Sequence, residues 1–199
     1  MTSIYLVRHG ETDWNAEQRI QGASEIPLNE TGRRQARAAA EMLRGGDWRA
    51  VYSSPLSRAS ETAEIICAEL GIDGIVADEV LMERSFGAAE GMTAAECTQQ
   101  FPDRVIPGAE SWDQVLERAM GFLQRLATET ERLPERSASY LAVTHGGFIN
   151  SILRFMERQG MGPGRIVLAN ASATLLRYNG SWELVWYNRT DPIMQETHP

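Results

Sequence analysis

Ile4-Tyr5-Leu6-Val7-Arg8-His9-Gly10 opens the chain with an apolar run that ends in an arginine, a histidine and a glycine. The same arrangement returns far downstream as Tyr140-Leu141-Ala142-Val143-Thr144-His145-Gly146-Gly147. Each run is too short for a buried helix and reads as a buried strand, with the glycine marking a sharp turn away from it. Ligands of open α/β sheets bind where such strands end. Arginine presents a planar fork of donors matched to phosphate oxygens, and a neutral imidazole is a nucleophile toward phosphorus. One strand-end histidine is as well explained by a satisfied core residue as by a site. Two in the same context, each followed by a glycine that lets backbone approach a ligand, point to a shared crevice if their strands are neighbours. His198, the third histidine, falls in the C-terminal tail and is set aside.

Between these strands the chain alternates. Asn29 and Thr31 are cap candidates for a helix over Arg33 to Arg44, which Gly45-Gly46 stops. Ala50-Val51-Tyr52 is a short strand, and a second helix runs from about Leu56 to Leu70, ended by Gly71. Ile75-Val76 is a weaker strand, and Leu81 to Gly91 is irregular, charged and glycine-containing, which in a compact domain suggests function. Ser111-Trp112-Asp113-Gln114 has the form of a capping box opening a helix through about Arg132, and another helix spans Phe148 to about Arg158. Ala173 to Tyr178 and Trp182 to Tyr187 flank Asn179-Gly180 as a hairpin with a two-residue turn. Strands alternating with helices predict a three-layer α/β/α fold with a mainly parallel central sheet and an antiparallel edge from the hairpin. The boundaries expected are one domain over residues 1–188 and a tail over 189–199.

With 199 residues and 43% hydrophobic content the chain can bury one full core. Its apolar runs fall far short of the roughly 20 residues a spanning helix needs, and no leader pattern precedes the first strand, so a cytoplasmic protein is expected. Cys67 and Cys97 fit no ligand spacing, and Cys67 lies on the apolar side of its helix as a reduced thiol. A net charge of −8 speaks against nucleic acid or an anionic membrane as partner. It leaves room for a few arginines converging on a small phosphorylated metabolite. The five tryptophans, with the Met and Phe residues of the 81–112 region, offer surface for substrate recognition but read mainly as core. An open sheet edge allows a homodimer.

The ordered set of motifs resembles the histidine phosphatases of the phosphoglycerate mutase-like superfamily. It comprises Leu6-Val7-Arg8-His9-Gly10 with Glu11 to Asn15, Gln21-Gly22, Pro27 to Gly32, Ser53 to Ala59 with Thr62-Ala63, Glu83 with Gly87 and Glu90-Gly91, Gly108 to Ser111, and Val143 to Gly147. The resemblance covers Ile4 to about Asn188. It implies that His9 is the nucleophile forming a phosphohistidine, its tautomer fixed by a hydrogen bond from the other ring nitrogen to a carbonyl. Arg8, Arg58 and a protonated His145 would hold the equatorial oxygens, with free N–H groups at the helix start beside Arg58 adding to the anion site. Glu83 would be the general acid and then the base that activates water. Asn15, Gln21 and the backbone of Gly146 match substrate-touching positions. No metal and no cofactor are implied, although Glu11 with His9 and Asp13 could be read as metal ligands. Glu25 stands where relatives commonly have Asp.

The resemblance covers two outcomes, hydrolysis of the phosphohistidine or its return to another oxygen of a sugar acid. Mutases of this kind are usually longer and typically carry His-Tyr-Gly where this chain has Ser85-Phe86-Gly87 after Glu83-Arg84. A phosphatase is therefore favoured, with a cofactor-dependent phosphoglycerate mutase as the alternative. A non-catalytic phospholigand- or protein-binding module would be expected only if one of the five central residues had been replaced.

Overall fold

The computed structural model describes residues 1–160, 162 and 166–191. His198 and most of the expected tail lie outside them. Six strands, β1 (Thr2–Arg8), β2 (Trp48–Ser53), β3 (Val76–Ala77), β4 (Ala138–Thr144), β5 (Ala173–Tyr178) and β6 (Trp182–Arg189), form one sheet in the order β3-β2-β4-β1-β5-β6. The β3-β2, β2-β4 and β4-β1 pairs are parallel, and β5 runs antiparallel to both β1 and β6. The hairpin thus supplies an antiparallel margin, as its sequence suggested. Its loop holds three residues rather than two, because Tyr178 pairs with Trp182 and Gly180 takes a positive φ of 86°. β6 also continues through Arg189, two residues past the expected end at Tyr187.

The apolar runs are continuous because β1 and β4 are buried on both faces. Ile4, Leu6, Tyr140 and Ala142 point into one core half with α5 (Trp112–Glu131) and α6 (Gly146–Arg158). Val7, Leu141 and Val143 point into the other half with α2 (Glu30–Leu43) and α3 (Ser57–Leu70). Helices therefore cover the sheet on both sides. Each fully buried Leu, Ile or Phe contributes about 1.5–3 kcal/mol of transfer free energy. All five tryptophans are half-buried, and Trp48, Trp182 and Trp186 pack against these clusters. Cys67 is buried and unbridged, and Cys97 is half-buried and unbridged.

Several boundaries differ from the sequence expectation for local reasons. Asn29 caps α2 by accepting from Gly32 N at 2.8 Å, so the helix starts at Glu30 and Thr31 lies inside it. α6 begins at Gly146, with His145 at the cap position, so both glycines belong to its first turn. Two short helices escaped the periodicity: α1 (Asp13–Ala16) and α4 (Ala94–Gln100), each closed by a capping box at Thr12 and Thr93. Gly10 is required by close approach, since a Cβ there would lie 2.5 Å from Gly32 O of α2. No helix among the described residues is long and apolar enough to cross a membrane.

Candidate active site

Because β1 and β4 are adjacent and in register at Arg8 and Thr144, the residues that follow them emerge side by side. The His9 and His145 rings stand 5.2 Å apart between centroids, tilted by 55°. Both side chains are buried. His9 N–H donates to Thr144 O at 2.9 Å, and His9 O accepts from Ala171 N at 3.2 Å and from Asn170 Nδ2 at 3.2 Å. The backbone of the ring that matters most is thus fixed from β4 and from the loop entering β5.

The His9 Nδ1 lies 2.7 Å from Gly10 O. A carbonyl can only accept, so Nδ1 carries the proton and Nε2 keeps its lone pair. Burial, followed by the charges of Arg58 and Arg8, pushes His9 well below the usual imidazole range, against a smaller opposing effect of the Gly10 carbonyl. A neutral ring with one nitrogen blocked and the other free is what attack on phosphorus requires.

His145 is held in the same way as His9. Burial, then Arg58, His9, Arg118 and Arg8, push it well below the imidazole range too, so it is neutral in the protein alone, not charged. Its Nε2 sits 2.8 Å from Ser54 Oγ, and its Nδ1 is buried without a partner. Ser54 Oγ accepts from Leu56 N at 3.3 Å and has a proton of its own to give to Nε2. With Nε2 as acceptor, Nδ1–H is an unpartnered donor. A phosphate dianion beside it opposes the arginine charges and favours the protonated ring.

Arg58, in the first turn of α3, is the largest fully buried side chain among the described residues. Its Nη1 donates to Ser24 O at 2.8 Å and its Nη2 to Gly22 O at 2.7 Å, leaving Nε buried and unpartnered. Arg8 sends Nη1 to Leu168 O and also leaves Nε buried without a partner. Burial lowers both guanidinium pKa values, opposed for each by Glu83 first. Buried donors left unpaired are costly, and two guanidinium groups and an imidazole N–H sharing one electrostatic neighbourhood form an anion receptor. Beside it a cleft of about 400 Å³ is lined by Arg8, Gly146, Asn150, Ile166, Val167 and Leu168. The first amide of α3 is not part of the receptor as expected: Ser57 N donates to Glu25 Oε2 at 2.9 Å. Glu25 thus closes the helix start and adds a negative charge near Arg58.

Glu83 reaches the same place from the segment between a 3-10 turn over Glu79–Leu81 and another over Gly87–Ala89. Its Oε1 accepts from Arg84 N at 2.8 Å and its Oε2 from Gly147 N at 2.9 Å. Gly147 must be glycine for this approach, since a Cβ there would lie 2.2 Å from Oε1. Arg118 of α5 pins the segment by donating Nη1 to Val80 O and Met82 O, each at 2.6 Å, and pairs with both Glu110 oxygens at 2.8 and 3.0 Å. Arg84 donates Nε to Glu110 O at 2.7 Å, with its guanidinium 4.5 Å and 4.7 Å from the Phe86 and Trp112 ring centres.

The remaining residues expected at the site are less direct. Gly146 faces Arg8, with ordinary contact distance to spare. Asn15 Oδ1 accepts from Thr12 N and from Asn170 Nδ2, so it meets the site through the residue that also holds His9 O. Gln21 precedes Gly22 and keeps its Oε1 buried and unpartnered. Among the described residues no three His, Cys, Asp or Glu side chains gather as a metal-holding group, and Glu11 gives Oε1 to Asn29 at 3.0 Å. Sequence reasoning missed Asn170 entirely; its one signal was an Asn just before a strand bound for β1. It also assigned no role to Arg118.

Comparison with known proteins shows the family. The family model of the histidine phosphatase superfamily (branch 1) matches residues 4–190. The uncharacterized phosphatase PhoE of Bacillus subtilis is 41% identical over 153 residues, 77% of this chain and 76% of that protein. A metal-independent phosphoserine phosphatase of Arabidopsis thaliana is 38% identical over 191 residues, 88% of this chain and 76% of that one. The solved structure of Bacillus stearothermophilus YhfR superposes with a TM-score of 0.81 at 29% identity, covering 93% of this chain and 96% of the other.

Proposed function

The chain belongs to the histidine phosphatase superfamily (branch 1), and from that premise we propose that it is a metal-independent phosphomonoesterase that works through a phosphohistidine on His9. The observation that carries this reading is the His9 ring itself, its Nδ1 held by Gly10 O and its Nε2 left free beside two buried guanidinium groups. Nε2 attacks phosphorus in line, the bond to the leaving oxygen breaks, and that oxygen takes a proton from Glu83. Water then attacks the phosphohistidine and gives a proton to the Glu83 carboxylate. The P–N bond breaks, and inorganic phosphate leaves with Nε2 restored. Arg8, Arg58 and His145 stabilise the charge on the transferring oxygens without a metal. Asn15 and Gln21 border the substrate, and Gly146 N, at the start of α6, offers it a backbone donor. All these groups come from one domain over residues 1–188.

The substrate is a small phosphorylated metabolite. The Arabidopsis relative is named for phosphoserine, which makes phosphoserine the first compound to offer this chain. The test is phosphate release from a panel of phosphomonoesters by chelator-treated protein, with isomerisation of 3-phosphoglycerate followed in parallel. We expect release without isomerisation and none from His9→Ala. Turnover retained in His9→Ala would remove the nucleophile assignment, loss on chelation with rescue by a divalent ion would remove metal independence, and isomerisation would make the protein a mutase.

A further inference from the structure

The geometry points to Glu90 as the positioning residue for Arg58, acting through the 22–24 turn; this rests on the reading of Arg58 as a phosphate ligand. Glu90 touches none of the expected catalytic groups. Its Oε1 accepts from Ala23 N at 3.0 Å and Phe86 N at 3.0 Å, and its Oε2 accepts from the Ser24 hydroxyl. The turn so held is the one whose carbonyls, Gly22 O and Ser24 O, receive both terminal nitrogens of Arg58. One carboxylate therefore binds the backbone that orients the guanidinium, and through Phe86 N it ties that backbone to the segment carrying Glu83.

Gly22 supplies an independent sign that the clasp is built. It has φ +56°, and a Cβ there would lie 2.1 Å from Glu90 Oε1, so the turn is shaped around the carboxylate. The hydrogen bonds from Ser24, Ala23 and Phe86 outweigh burial and hold the Glu90 carboxyl below its ordinary value, which keeps it an acceptor at neutral pH. Its charge also acts on Arg58 directly, adding to those of Glu83 and Glu25 in keeping the buried guanidinium protonated. Removing Glu90 would leave the Arg58 carbonyl partners free to shift and the fork misaimed. A bidentate contact loses its value with small displacements.

The experiment is a double-mutant cycle of Glu90→Ala and Arg58→Ala, read as inorganic phosphate affinity by calorimetry and as kcat and KM on p-nitrophenyl phosphate. Glu90→Ala is expected to weaken phosphate binding and lower kcat by about tenfold to a hundredfold. Glu90→Gln, which preserves the shape and the Oε1 acceptor, is expected to restore part of the loss. The pair together is expected to be no worse than Arg58→Ala alone. Losses that multiply, or a Glu90→Ala protein that melts earlier yet binds phosphate and turns over normally, would overturn the proposal. If Glu90→Ala does not fold, the same cycle with Glu90→Gln decides it. The binding arm does not depend on the phosphohistidine route. Turnover surviving His9→Ala would therefore sink the proposed mechanism while leaving the Glu90–Arg58 coupling to stand or fall on phosphate affinity.

Discussion

A histidine proposed as nucleophile has to remain neutral while surrounded by the positive charge a phosphate needs, and burial lets His9 do both. The same burial makes the site a pH-sensitive part of stability. Burial, then the charge of Arg58, holds His9 and His145 well below the ordinary imidazole value of about 6.5 in the folded protein, while the unfolded chain titrates them near it. As pH falls through about 6.5 the unfolded state binds protons that the folded state refuses. Stability is therefore complete above that value and is lost as pH drops toward the folded-state values, at up to about 2.7 kcal/mol per pH unit for two sites. Denaturation midpoints followed from neutral to mildly acidic pH should fall, and His145→Gln should roughly halve the slope; a flat profile in the parent protein would contradict the neutral pair. At this scale the sequence was informative where chemistry is carried by a side chain at a strand end, as with His9, Arg8 and His145. Arg58 and Glu83 were legible only through their motifs. Glu90 stood in a motif without a role and Asn170 in none, because their work is to hold backbone groups of loops distant in sequence, which no local pattern records. The neutral state of His145 in the protein alone was not legible, because burial depends on what packs around the ring.

The elements whose pattern is long were read correctly and those fixed by a single contact were not. The apolar runs of β1 and β4, and the 3.6-residue spacing of α2, α3, α5 and α6, express burial on one or two faces over many residues. α1 and α4 are too short to show a period and are defined by capping boxes. The start of α6 was placed late because Gly146 and Gly147 look like a break, whereas Gly147 is small so that Glu83 can reach its N–H. Helix α5 illustrates how an element serves the site at a distance. Arg118 forks between the Glu110 carboxylate and the carbonyls of Val80 and Met82, directly ahead of Glu83. Lysine keeps the charge but cannot make this fork. Arg118→Lys is expected to lower kcat by about tenfold to a hundredfold with inorganic phosphate affinity unchanged, since proton delivery suffers while Arg8 and Arg58 stay in place. Equal losses in kcat and phosphate affinity would show that Arg118 supports the whole cleft and not the acid alone.

Across the whole molecule, groups as far apart in sequence as Arg8 and Asn170 meet because two buried parallel strands end together at the middle of the sheet. Placing His9 at the end of a central strand has an energetic consequence. β1 is hydrogen-bonded on both sides, to β4 and β5, and its side chains fill both core halves. β3 holds only two residues, both exposed, and β6 is paired on one side among the described strands. Local opening should therefore be easy at the margins and as costly as global unfolding at the centre. The Arg58 turn and the Glu83 segment, held by single hydrogen bonds rather than ladders, belong to the easily opened class. Native-state hydrogen exchange should show β1 and β4 amides exchanging only through global unfolding, β3 and β6 amides exchanging sooner, and the amides of Ala23, Phe86 and Gly147 gaining protection when inorganic phosphate is added. Slow exchange at the centre with no phosphate response in those three amides would mean that the receptor is rigid before the ligand arrives. Protection appearing there would mean instead that part of the binding energy is spent on bringing Arg58 and Glu83 onto a nucleophile already fixed in place.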